Sequence, residues 1–265
     1  MTGLPLPFYL APSFLYSPGP LTMTTATTDS GWRAYHQTTR SATYGFLSAL
    51  PLLVLYETLI VWANADASTP VRIGAELWLK SLLPPLGAAG HLALGGIVLA
   101  VGVAVFWAER HRDLPLRTGY FCGLIAESAL YAVLVAALIS RLVGLVFAAA
   151  PPPVGDLWTQ LALSIGAGLY EELVFRVLLV GGLAWVFRRL TGASAAYAAA
   201  AVLGALLFSA VHYTGPLGDA FALSSFAFRF LFGLALNVLF LGRGFGVAAW
   251  THALYDVFLV TSLGG

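Results

Sequence analysis

Within the last four apolar runs of the chain stand Glu171, Glu172 and Arg176, then His212, then Arg229, then His252 and Asp256. A charged side chain at the centre of a bilayer costs about 2.5–3.5 kcal/mol on insertion scales. Charges kept there need partners or work. Glu172 and Arg176 are four residues apart, so on a helix they share a face and pair. Glu171 is turned about 100° from Glu172, which points it away from that pair and toward a cavity. His252 and Asp256 are also four apart, so the carboxylate is placed to orient or charge the imidazole. One carboxylate and two imidazoles aimed at a common point do one of two things. They activate a water directly, or they hold a divalent metal such as zinc, with His212, His252 and Glu171 as the donors. The spacing leaves both open. Each pair alone reads as a structural ion pair or a buried hydrogen bond; the conjunction on three runs favours a site. Arg229 needs a partner, structural or a substrate carboxylate, and Glu57 and Glu127 read as bundle contacts.

The elements that position these groups follow from composition. The chain has 265 residues, 59% hydrophobic and 9% charged, with mean hydropathy +0.86. A soluble domain is about 25% charged. The expected fold is all-α, a polytopic transmembrane helix bundle in a bacterial or archaeal cell membrane. Net charge +1 gives no reason to expect a nucleic-acid partner. The single cysteine, Cys122, excludes a disulfide framework and a thiolate metal cluster, and reads as a small buried hydrophobe.

Apolar runs of about 20 residues mark spans. They fall at Ala42–Ala63, His91–Ala108, Tyr120–Ala148, Leu157–Phe187, Ala195–Tyr213, Ala222–Leu241 and Phe245–Ser262. This gives about seven spans. Asn64–Leu86, with Arg72, Glu76 and Lys80 at helical spacing, reads as an interfacial helix. Leu157–Phe187 is too long for a straight crossing and is expected to tilt, or to bend at Gly181-Gly182. Residues 1–40, broken by five prolines, read as a mobile tail in which Met23 is an alternative start. Residues 41–150 read as N-terminal transmembrane helices and 151–265 as the catalytic helices. Arg33 and Arg40, Arg110, Arg112 and Arg117, Arg188 and Arg189, and Arg243 all fall on one side of seven spans, the cytoplasmic side by the positive-inside rule. That topology puts His212 near the outer end of its span. Glu171 is about 21 Å from the start of its helix and His252 about 10 Å from the cytoplasmic end of its own. For the three to meet, a helix must be tilted, offset or broken.

Other intramembrane chemistries fit less well. There is no H-E-x-x-H zinc helix. Ser194 sits in a basic loop, poor for a serine nucleophile, and Asp256 has no second intramembrane aspartate. A proton-coupled transporter relay is an alternative, but no internal repeat supports it.

Taken in order, Glu171-Glu172-x-x-x-Arg176, Phe208-x-x-x-His212 and His252-x-x-x-Asp256 resemble the CPBP (Abi) intramembrane proteases, which include the type II CAAX prenyl endopeptidases. The resemblance covers about residues 157–263. It implies an intramembrane endopeptidase whose partners are the lipid bilayer and a membrane protein or peptide substrate. Glu171 and His212 would activate the water, His252 and Asp256 would stabilise the oxyanion or position the water, and Glu172 and Arg176 would support Glu171. A zinc-assisted and a metal-free mechanism are both compatible with it. So is a non-catalytic member of the fold, a scaffold or a bacteriocin-immunity protein. The prenyl-protease branch has Asn where this chain has Asp256. An ionised Asp cannot donate a hydrogen bond to an oxyanion, so Asp256 suits orienting His252 or ligating a metal, and the substrate need not be a prenylated terminus.

Overall fold

The computed structural model describes residues 31–65, 71–81, 89–144, 156–215 and 218–263. Met23 and most of the expected tail lie outside these residues. Among them, all regular structure is helical: α1 (Gly31–Thr39), α2 (Ala42–Ala63), α3 (Gly74–Ser81), α4 (Ala89–Glu109), α5 (Thr118–Gly144), α6 (157–187), α7 (Ala193–Val211), α8 (Leu223–Arg243) and α9 (Phe245–Leu263). By length and composition α2, α5, α7 and α8 are each long and apolar enough to cross a membrane. α6 and α9 are the helices diluted by the ionisable groups.

Helix ends are set by local chemistry. The Ser41 side chain accepts from the Tyr44 amide at the start of α2. The Glu109 carboxylate at the end of α4 accepts from the amides of Ala42 and Thr43 and from the Thr43 hydroxyl. It thus satisfies donors that a helix start leaves open. Asp156 caps α6 by accepting from the Thr159 amide, and that bond holds the Asp156 carboxyl below its usual range.

α6 is continuous but changes gauge. It is an α-helix over Leu157–Gly166, a wider π-helix over Ala167–Val180, and an α-helix again over Gly181–Phe187. Gly181 has ordinary helical dihedrals, φ −61° and ψ −44°. The irregularity expected at Gly181-Gly182 lies instead in the turns carrying Glu171, Glu172 and Arg176. A π stretch departs from the usual i→i−4 ladder and is found most often at functional sites.

Two expectations need correction, on the tail and on Cys122. Residues 31–40 are not tail: they form α1 and its link to α2, with Tyr35, Thr38 and Thr39 buried. The reason is a polar knot. Arg243 pairs with Glu127 through two bonds of 2.6 and 2.7 Å, reaches the His36 carbonyl at 3.1 Å and the Thr39 hydroxyl at 3.0 Å, while the Tyr35 hydroxyl donates to Glu127 at 2.7 Å. Glu127 is a bundle contact, as read, but not an isolated one. The interfacial segment holds a short helix, α3, whose Glu76 is fully buried. It accepts from the Tyr56 hydroxyl and pairs with Arg72 at 2.7 Å. Arg72 also lies 3.6 Å from Glu57, and the Tyr170 hydroxyl reaches Glu57 at 3.4 Å. Cys122 is exposed on α5 rather than buried.

The helix ends sort onto two faces. On one, the start of α2 meets the end of α4 through Glu109, Tyr35 of α1 meets Tyr120 of α5, and Arg40 donates to the Leu241 carbonyl at the end of α8. Phe187 and Tyr197, at the end of α6 and the start of α7, pack against the same buried cluster as Leu241 and Phe245. On the other face, Trp62 at the end of α2 stacks edge-on against Trp158 at the start of α6. α9 runs between them, packed on α2, α5, α6 and α8.

Candidate active site

Gly168 sets the approach of α6 to α9. A Cβ built there would lie 2.6 Å from the Cβ and backbone nitrogen of Ala253 and 2.7 Å from the carbonyl oxygen of Ala249. Real side-chain contacts are not that short, and two of the three atoms are backbone. With glycine the helices touch, and one turn further along α6 Glu172 meets His252. Its Oε1 accepts from His252 Nδ1 at 2.7 Å. Its Oε2 lies 2.9 Å from Arg176 Nε. Glu172 and Arg176 are both fully buried. The contact to Arg176 is close but off the N–H direction, and the Arg176 nitrogens have no hydrogen-bond acceptor among the described residues. Charge attraction and the face of Phe208, 4.5 Å from the guanidinium carbon, hold Arg176 in place.

Glu171 lines a cavity of about 350 Å³ together with His212, His252 and Asp256. Its walls are largely apolar, with Phe208, Phe228, Phe232 and Tyr255 among them. Glu171 Oε2 stands 4.0 Å from His212 Nε2. His212 Nδ1 is 2.7 Å from the Phe208 carbonyl oxygen. A carbonyl only accepts, so the proton sits on Nδ1, and Nε2 turns a lone pair toward Glu171. On the other wall, His252 Nε2 is 3.4 Å from Asp256 Oδ2. Phe232 lies edge-on to the His252 ring, 5.0 Å between centroids. Both imidazoles are thus anchored through Nδ1.

The structure therefore brings Glu171, His212, His252 and Asp256 to one cavity from α6, from the last turn of α7 with the residue after it, and from α9. It also parts the two glutamates as their spacing predicts: Glu171 is in the cavity wall and Glu172 in the core. Glu172 and Arg176 back His252 rather than Glu171. A contact between residues 80 apart has no signature in helical spacing. Arg229, also in the cavity wall, finds its partner in Asp219 of the preceding loop, not in the membrane core.

A zinc centre would need three of these donors to converge. Among the described residues no three His, Cys, Asp or Glu side chains come close enough to hold a metal ion. The set Glu171, His212 and His252 does not fit zinc in this arrangement, although the Nδ1 anchoring is of the kind that metal-binding histidines use.

Residues 153–258 match a family model described as Type II CAAX prenyl endopeptidase Rce1-like. Over this stretch, 106 of the 265 residues, the chain is similar to that family. The stretch contains the ionisable groups of the cavity: Glu171, His212, Arg229, His252 and Asp256. It also contains Gly168, Glu172 and Arg176. Helices α1 to α5 lie before it. Nothing among curated proteins or solved structures matches the chain.

Because Gly168 fixes the spacing of α6 and α9, Gly168→Val is expected to lower thermal stability in detergent. Overpacking against atoms that cannot move aside costs about 1–3 kcal/mol. The Glu172–His252 contact should be lost with it. An unchanged melting temperature would show that α9 has room to shift.

Proposed function

We propose that the chain is an intramembrane endopeptidase that hydrolyses a peptide bond in or next to the bilayer. The observation that carries this reading is the convergence of Glu171, His212 and His252, from three helices, on one largely apolar cavity inside the Rce1-like stretch. Glu171 and His212 stand 4.0 Å apart, too far for a direct hydrogen bond and suited to sharing one water. In the proposed step Glu171 takes a proton from that water, and the hydroxide oxygen bonds to the scissile carbonyl carbon. The C–N bond then breaks, and the proton passes from Glu171 to the leaving amine. His212, with its lone pair on Nε2, holds the water in line.

His252 sits between the Glu172 and Asp256 carboxylates. In the proposed step it acts as an imidazolium, with Nδ1–H on Glu172 and Nε2–H at the cavity as the donor for the oxyanion. Asp256, an acceptor when ionised, orients this imidazole in place of the donor that an Asn would supply. Apolar walls suit a peptide segment entering with its apolar side chains from lipid.

The test is cleavage of a panel of membrane peptides in detergent by wild type, Glu171→Ala and His212→Ala. Cutting by the wild type alone supports the assignment; equal cutting by all three removes it. The mechanism proposed is metal-free, so 1,10-phenanthroline should leave the wild-type rate unchanged, and elemental analysis should find no stoichiometric zinc. Stoichiometric zinc that disappears in His212→Ala and His252→Ala would reverse this.

A further inference from the structure

The two faces of the bundle differ in charge. Of the 13 Lys and Arg residues, Arg33, Arg40, Arg110, Arg112, Arg117, Arg188, Arg189 and Arg243 stand at the face where α2, α5, α7 and α9 begin and α4, α6 and α8 end. Arg110 and Arg189 lie over the rings of Trp107 and Trp185, at 4.1 and 3.4 Å from the ring centroids, the arrangement of basic and aromatic anchors at a membrane interface. Toward the opposite face stand Arg72, Lys80, Arg141 and Arg229, and of these Arg72 and Arg229 are paired with Glu76 and Asp219. An excess of Lys and Arg in short loops marks the cytoplasmic side.

The cavity belongs to the other half. Its residues come from the first half of α6 (Gln160 to Glu171), the last turn of α7, the first half of α8 (Phe228 to Phe232) and mainly the second half of α9 (to Val260). His252 lies near the middle of α9 and is buried. Between it and the basic face lies a plug of buried apolar side chains: Val180, Ala184, Ala200, Phe240 and Ala248. These side chains sit near the ends of α6 and α8 and the starts of α7 and α9, so they pack the bundle on the basic side of His252.

We infer that the cavity opens to the extracytoplasmic side and takes peptide segments presented there. Its substrates are extracytoplasmic or outer-leaflet stretches of exported or membrane-anchored proteins, apolar where they enter, rather than the ends of cytosolic proteins. This deepens the protease reading and rests on it for the substrate class; the direction of the opening rests on charge and packing alone.

Two measurements separate the two claims. In a Cys122→Ala background, single cysteines are placed by Thr214→Cys, beside the cavity mouth, and His111→Cys, on the basic face, both exposed. A membrane-impermeant maleimide added to intact cells is expected to label the first and spare the second; the reverse pattern overturns the inference. A soluble fluorogenic peptide that the detergent-solubilised enzyme cuts is then added to sealed vesicles. Cleavage by right-side-out and not by inverted vesicles supports the inference, and the opposite preference overturns it while leaving the protease reading intact. If wild type cuts nothing even in detergent, the protease reading falls, and the labelling pattern still decides the opening.

Discussion

Glu171→Gln is expected to slow peptide cleavage by about 10²–10⁴-fold, the range for loss of a positioned general base, with the melting temperature in detergent unchanged. Glutamine keeps the shape and one acceptor oxygen but cannot take a proton from water. Stability should hold because Glu171 is in the cavity wall, 14% exposed, and faces the neutral His212 imidazole only at 4.0 Å. No buried cation depends on it alone, since Arg176 has Glu172 closer. Single-turnover cleavage alongside thermal unfolding reads both quantities. A variant that cuts at the wild-type rate would move the chemistry elsewhere in the cavity, with Asp256 the next carboxylate to test.

Glu172→Ala should do the opposite and fail first as a fold. It strands Arg176, fully buried and with Glu172 as its closest anion. Removing one partner of a buried pair costs about 3–5 kcal/mol. His252 also loses its 2.7 Å anchor on Nδ1. A drop in melting temperature and loss of cleavage are expected together. The double variant Glu172→Gln, Arg176→Met separates the causes. Removing both charges should restore much of the stability, because an apolar replacement of a buried pair is often neutral or better. Cleavage should remain low, because an amide in place of the carboxylate no longer gives His252 Nδ1 a charged acceptor. If the double variant regains full activity, the pair is only structural.

How much of this could be read without coordinates depends on the range of each interaction. The bounds of α2 and α6 and the opposed directions of Glu171 and Glu172 come from local periodicity, which the chain states outright. The His252–Asp256 proximity is also local. The partner of His252 across the bundle, Glu172, is not, because helical spacing says nothing about which helices touch. The clue was Gly168, a residue without a side chain, and its meaning appears only once Ala249 and Ala253 stand opposite. Likewise Arg72, Glu76 and Lys80 at four-residue spacing read as an interfacial helix. Tyr56, on another helix, turns Glu76 inward. Residues 31–40 looked like tail because they are polar; their order comes from Arg243, 204 residues beyond Thr39. The depth conflict among Glu171, His212 and His252 eases because α6, α7 and α9 all contribute from the half away from the basic loops or from near mid-helix.

The Glu127–Arg243 pair sets a clock on synthesis. The two residues are 116 positions apart, and a ribosome adding roughly 5–20 residues per second needs about 6–23 s to cover that gap. Throughout that time α5 carries a carboxylate whose guanidinium has not yet been made, and α1 has nothing to close its His36 and Thr39 groups. The N-terminal helices therefore enter the membrane before they have their final partner. The last turn of α8 completes contacts in the first half of the chain, so the order of insertion and the order of locking run in opposite directions.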